Sequence, residues 1–163
     1  MKWIQRCMAF GLVVVLTSPV AADTHWPKEG WEVTHTSLGY EALLTSLKEA
    51  VDAEGMAVVT EAGPTEAAAQ RDVTIPGNRV VGVFRNDYAV RLLRFSVPAM
   101  IEAPMRFYVT ENKDGSATLS WKEPSYVLSP YEAATEEGAI EKIGQELDAI
   151  FSAIAERAVS ETE

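Results

Sequence analysis

The chain has 163 residues, with 14 basic side chains against 24 acidic ones and a net charge of −10. That length is enough for one domain with its own core. The acidity argues against nucleic acid, whose binding rests on neutralising phosphates with Lys and Arg, and against anionic membrane surfaces.

Residues 1–22 read as an export signal. Lys2 and Arg6 form a short basic region, "MAFGLVVVL" (Met8 to Leu16) is the apolar core, and Val20-Ala21-Ala22 is a small-residue cleavage site. The uncharged run is too short to cross a bilayer, which needs about 20 apolar residues; an uncleaved anchor is the rival reading. Cys7 precedes the apolar core, so a lipoprotein does not fit. The style is that of a bacterial periplasmic protein, though sequence does not separate periplasm from secretion. Cleavage would leave 141 residues, with 12 basic side chains facing 24 acidic ones. It would also remove the single cysteine, leaving no disulfide, thiolate nucleophile, Cys-ligated metal or covalent haem.

Residues 23–30 are a polar lead-in. Trp31, Val33 and His35 then alternate with Glu32, Thr34 and Thr36, the period of a strand. Tyr40, Leu43, Leu44, Leu47 and Val51 recur at helical spacing, and Gly55 falls where a left-handed cap belongs. "MAVVTE" (Met56 to Glu61) predicts a short buried strand, "TEAAAQRD" a small helical turn, and "VVGVF" (Val80 to Phe84) another buried strand. Asp87 is placed to cap a short helix, "YAVRLLRF", which ends before Pro98.

After Pro104, Met105, Phe107 and Val109 alternate with Arg106, Tyr108 and Thr110. Beyond the turn "NKDG", Ala117, Leu119 and Trp121 alternate with Thr118, Ser120 and Lys122. A three-residue loop, Lys113-Asp114-Gly115, with Gly115 at positive φ, pairs Asn112 with Ser116, Val109 with Leu119 and Phe107 with Trp121. That register gathers the apolar residues on one face, and a two- or four-residue loop would not. Residues 122–134 hold two prolines and no clean period, and read as a loop. Thr135 is placed to cap the last helix, whose stripe is Ile140, Ile143, Leu147, Ile150, Phe151 and Ile154. Residues 159–163 read as a frayed tail. The order strand, helix, four strands, helix predicts one α+β domain over 31–158, an antiparallel sheet with both long helices on the same face.

Three blocks, "GYEALLTSLKEAVDAEGMAVVTE", "VVGVFRNDYAVRLL" and "IEAPMRFYVTENKDGSATLSW", resemble the domain-of-unknown-function 302 family over roughly Trp31 to Tyr131. The resemblance implies a TATA-binding-protein-like α+β fold and a homodimer. It brings no established activity, and no DNA binding, since fold does not carry function. The family tends to have Gly-Asn-Pro after its third strand; here Arg85-Asn86-Asp87 stands there and only Asn86 matches. It also tends to have an aspartate two residues before a proline at the next strand; here Glu102 and Pro104 occupy those places.

From the residues, a polar pocket at the sheet end would join Asn86, Glu102 and Arg106. Glu102 would serve as general acid or base, or as a contact for a small-molecule ligand, and a role in catalysis would require burial. The structural alternative pairs Glu102 with Arg106 or lets it cap the short helix's successor, with Pro104 starting the strand where its missing N–H is harmless. His25 and His35 are too few for a metal site, and His35, on the face of Trp31 and Val33, reads as a core histidine. Met56, Met100 and Met105 could be imagined in a copper site, but methionines on apolar faces are normally core filler. No metal or other cofactor is therefore expected. Asp87 as a cap, with Asn86 tolerating an unusual φ, explains that pair without function. Arg85, Arg91, Arg94 and Arg106 form a local basic excess that could hold an anion or meet an acidic face of a second subunit. Trp31 and Trp121 fit the core face of the sheet, and Trp26 could cover a dimer edge. No nucleophile elbow, His-Glu-x-x-His or phosphate-binding glycine loop is present. The reading is a ligand-binding or accessory module, with an enzyme or a purely structural dimer as alternatives.

Overall fold

Period-two runs become strands and period-3.6 runs become helices over nearly the whole chain. The computed structural model describes residues 25–132 and 138–160. Along it run β1 (Trp31–Gly39), α1 (Tyr40–Ala53), β2 (Ala57–Ala62), the short α2 (Thr65–Ala69), β3 (Asn78–Phe84) and α3 (Asn86–Phe95). A 3-10 turn (Pro98–Glu102) leads into β4 (Met105–Glu111), β5 (Ser116–Lys122) and the short α4 (Pro124–Leu128). A second 3-10 turn (Ser129–Tyr131) precedes α5 (Ala139–Val159). The strands form one antiparallel sheet in the order β1-β5-β4-β3-β2. This is the α+β arrangement expected, with helices segregated from an antiparallel sheet.

The hairpin has the predicted register. Phe107 lies opposite Trp121 and Val109 opposite Leu119. The Asn112 amide donates to the Ser116 carbonyl at 2.8 Å, and Gly115 takes a φ of +85°. With Val81 and Val83 of β3, these residues make the apolar face on which α1 (Leu43, Leu47, Val51) and α5 (Phe151, Ile154) lie. Phe107 is fully buried between the stacked ring of Phe151, at 4.5 Å, and the tilted ring of Trp121, at 5.7 Å. A second, smaller core joins Leu92 of α3, Ala99, Leu128 of α4, and Ile140, Ile143 and Leu147 of α5.

Several expectations are corrected. Trp31, Val33 and His35 pair with Lys122, Ser120 and Thr118, so they stand on the face away from the helices. Alternation fixes a strand's period, but its phase is set by the partner strand, and β5 gives the helix face to Ala117, Leu119 and Trp121. His35 is accordingly exposed and bonded to the Thr118 hydroxyl at 3.0 Å, not a core histidine, and Trp31 is not on the core face. Trp26 lies over Trp31 and Tyr108, at 5.8 and 6.1 Å, covering the open face of its own chain. β2 is a sheet edge and mostly exposed, because no helix covers its outer side. Residues 122–134 are not all loop. Pro124 starts α4, where its missing N–H costs nothing, and Gly144 lets α4 approach α5: a Cβ there would lie 2.6 Å from Ser125 Cα. Asp87 is not the cap of α3. Arg85 holds that position in extended conformation and Asn86 is the first helical residue, with no positive φ. α5 begins at Ala139 after Gly138 at φ +78°; the expected cap Thr135, the export signal and the end of the tail lie outside the described residues.

Candidate functional site

The residues singled out by sequence lie around the end of the sheet where α3 begins and the first 3-10 turn ends. Asn86 is exposed at the start of α3. Glu102 closes the turn, half-buried, and accepts a hydrogen bond from the Tyr131 hydroxyl at 2.7 Å. That bond ties the two 3-10 turns together and, ahead of burial, holds the Tyr131 hydroxyl above its ordinary pKa. Arg106 is exposed and lies opposite Gly82 on the open face of the sheet, since Met105 and Phe107 take the helix face. The three share no hydrogen bond or ion pair, and Arg106 does not pair with Glu102. Successive side chains of a strand point to opposite faces, and since Met105 takes the helix face, Arg106 takes the other.

Their neighbours line a cavity instead. Met56, Val83, Arg85, Tyr88, Ala89, Leu92, Met100, Ala103, Met105, Ile143 and Leu147 surround an apolar space of about 40 Å³ between the sheet, α3, the first 3-10 turn and α5. That is room for about two or three water-sized groups. All three methionines of the described chain line it.

The rim is polar and self-neutralising. Arg91 of α3 makes a bidentate pair with Glu146 of α5, at 2.6 and 3.1 Å, and the Tyr88 hydroxyl donates to the same carboxylate at 3.2 Å. Arg85 and Arg91 flank the Tyr88 ring, with guanidinium carbons 4.6 and 5.0 Å from its centroid. Arg85 is itself held by Asp87 at 2.9 Å. The Arg91 hydrogen bonds keep the Glu146 carboxyl below its usual range, while burial first and Glu146 second raise the Tyr88 hydroxyl. Each of these two arginines thus already has a carboxylate, and a ligand entering here meets an apolar chamber behind a neutral gate. Arg94 and Arg106 make no ion pair among the described residues.

A second hollow, of about 450 Å³, opens beside the start of α1. It is lined by Gly39, Tyr40, Glu41, Thr65, Gly77 and Glu111. Glu111 accepts the Gly77 N–H at 2.7 Å, and the buried Tyr40 hydroxyl lies against the Arg79 guanidinium. Sequence reasoning missed this hollow, because its residues come from four separate segments and carry no shared period. Among the described residues no group of three or more His, Cys, Asp or Glu side chains could hold a metal ion.

An open antiparallel sheet with two long helices on one face, and a small chamber at the sheet end, defines the chain as a two-layer α+β domain. The chain belongs to the family described as Domain of unknown function DUF302, which residues 31–154 match. It is similar in fold to a solved structure, the "uncharacterized conserved protein DUF302 from Bacillus stearothermophilus". The TM-score is 0.69 at 16% identity, over 80% of this chain and 98% of the other. No curated protein matches the chain.

Proposed function

We propose that this is an exported small binding or accessory module whose ligand seat is the methionine-lined chamber, and that it acts as a homodimer. Export rests on Lys2, Arg6, the apolar run Met8 to Leu16 and the Val20-Ala21-Ala22 site, with the bacterial periplasm as the destination.

The observation that carries the ligand seat is the way α3 covers the chamber. Only Ala89 and Leu92 of that helix are buried, with Tyr88 and Phe95 packed half-buried beside them; the polar latch of Tyr88, Arg91 and Glu146 adds the rest. A lightly packed element with a polar attachment opens at low free energy, which gives a small ligand a way in. Methionine walls adapt to what enters. Each residue expected from sequence adjoins the wall in the chain: Asn86 follows Arg85, Arg106 follows Met105, and Ala103 follows Glu102. The bond of Glu102 to Tyr131 supports the turn that supplies Met100. Asn86 and Arg106 would touch only a ligand that reaches outside the chamber.

A panel of small apolar molecules and soft metal ions, read by melting temperature, tests the seat. A hit should raise the melting temperature by several degrees. Ala89→Leu, which fills the chamber, should abolish the shift, and Glu102→Gln should lower the melting temperature of the free protein but keep the shift. If no panel member moves the transition, or if the shift disappears in Tyr40→Phe instead, the seat is not this chamber.

For the dimer, the support is the outward ridge of α3. Asp87, Val90 and Arg94 follow one another at helical spacing on the side away from Ala89 and Leu92. Val90 and Leu93 are each 44% exposed. Two such helices set antiparallel about a two-fold axis bring Asp87 opposite the partner's Arg94 and the apolar residues together at the centre, a self-complementary arrangement.

A further inference from the structure

We propose that the chamber binds one soft monovalent cation, Cu(I) or its redox-inert analogue Ag(I), through the thioether sulfurs of Met56, Met100 and Met105. This rests on the reading of the chamber as the ligand seat.

The chain has five methionines, and Met1 and Met8 fall in the export signal read from sequence. The remaining three come from three separate places: the residue before β2, the first 3-10 turn and the first residue of β4. All three line the same small space. Three thioether side chains around one small space are a donor set that suits a soft ion. A thioether is a soft ligand that selects Cu(I) over harder divalent ions. It also stays neutral at every physiological pH and needs no reducing compartment, unlike a cysteine thiolate.

Size points the same way. About 40 Å³ is far below the roughly 300 Å³ at which pockets for organic ligands begin, yet is ample for a bare ion. The remaining wall is mostly apolar and offers few competing hard donors. Positive charge at the rim does not oppose the ion, because Arg85 and Arg91 are each neutralised by Asp87 and Glu146.

The test is Ag(I) titration of the full chain, with Cys7 alkylated and the methionine methyl groups labelled with carbon-13, followed by NMR. One equivalent should move the methyl resonances of Met56, Met100 and Met105 together. Replacing each by Leu, which conserves volume and keeps the fold, should weaken binding by at least about tenfold. The proposal is overturned if fewer than three of these methyl groups respond, or if the Leu variants bind Ag(I) as tightly as the unsubstituted chain. A melting-temperature rise with a small apolar molecule, lost in Ala89→Leu, would then leave the ligand seat standing without the ion. The absence of both effects would remove both.

Discussion

Glu102 and Met105 illustrate how single residues acquire their roles here. A carboxylate two residues before a proline invites a chemical reading, but its geometry is that of a tie to Tyr131, 2.7 Å away. Met105, read from sequence as core filler on an apolar face, lines the chamber. Glu123 makes the opposite point. It sits before α4, and burial first, then the nearby Asp148 and Glu32, push its carboxyl above the usual range. Its folded-state pKa is therefore higher than its unfolded one, and ionisation opposes folding. That penalty is absent at pH below the ordinary carboxylate range, and develops as pH rises through the raised value. Glu123→Gln should accordingly stabilise the protein at pH 7, by about 0.5 kcal/mol on the scale of one partly exposed charge contact. The gain should vanish in acid. Melting curves of both proteins from pH 3 to 8 measure it, and an equal or lower melting temperature for the variant at pH 7 would refute it.

Among the elements, α3 is the one held by chemistry more than by packing. Its two buried residues contrast with the eight that α5 buries. The Glu146 carboxyl is held low, chiefly by its hydrogen bonds to Arg91. Stability from this latch is thus fully present above the ordinary carboxylate range and is lost as pH falls through the lowered value. Hydrogen-exchange protection of α3 should drop in acid while that of α5 persists. In Glu146→Gln the drop should be present already at pH 7 and change little on acidification. Equal protection of α3 in both proteins at pH 7 would show that the latch does not hold the helix. α1, α5 and the β4–β5 hairpin were legible in sequence because each has a sustained period, and the three-residue turn was legible because only one loop length keeps Phe107, Val109, Leu119 and Trp121 on one face. α4 was not, since five residues between prolines are too short to show a period and the helix depends on Gly144 admitting it against α5.

For the molecule as a whole, the open question is what meets the outward ridge of α3. Asp87→Arg and Arg94→Glu variants each place like charges across an antiparallel two-fold contact, so neither should self-associate. Mixed together they restore both opposite-charge pairs. Sedimentation should show a mass near twice the monomer's for the unsubstituted protein and for the mixture, but not for either variant alone. A concentration-independent monomer in the unsubstituted protein, or a mixture no heavier than its components, would exclude this interface.

The sequence by itself determined the element order, the hairpin register and the α+β class, because these follow from local periods and turn chemistry. It also singled out the stretches around Asn86 and from Glu102 to Arg106 as candidates. Only the tertiary structure decided which side chains of those stretches share a space. The phase of β1 depends on β5, and Arg106 and Met105 are separated by the sheet itself. The three methionines meet only after α3 and the 3-10 turn fold over the sheet end. Periodicity records how a segment repeats along its own axis, and carries no information about which distant segment will face it.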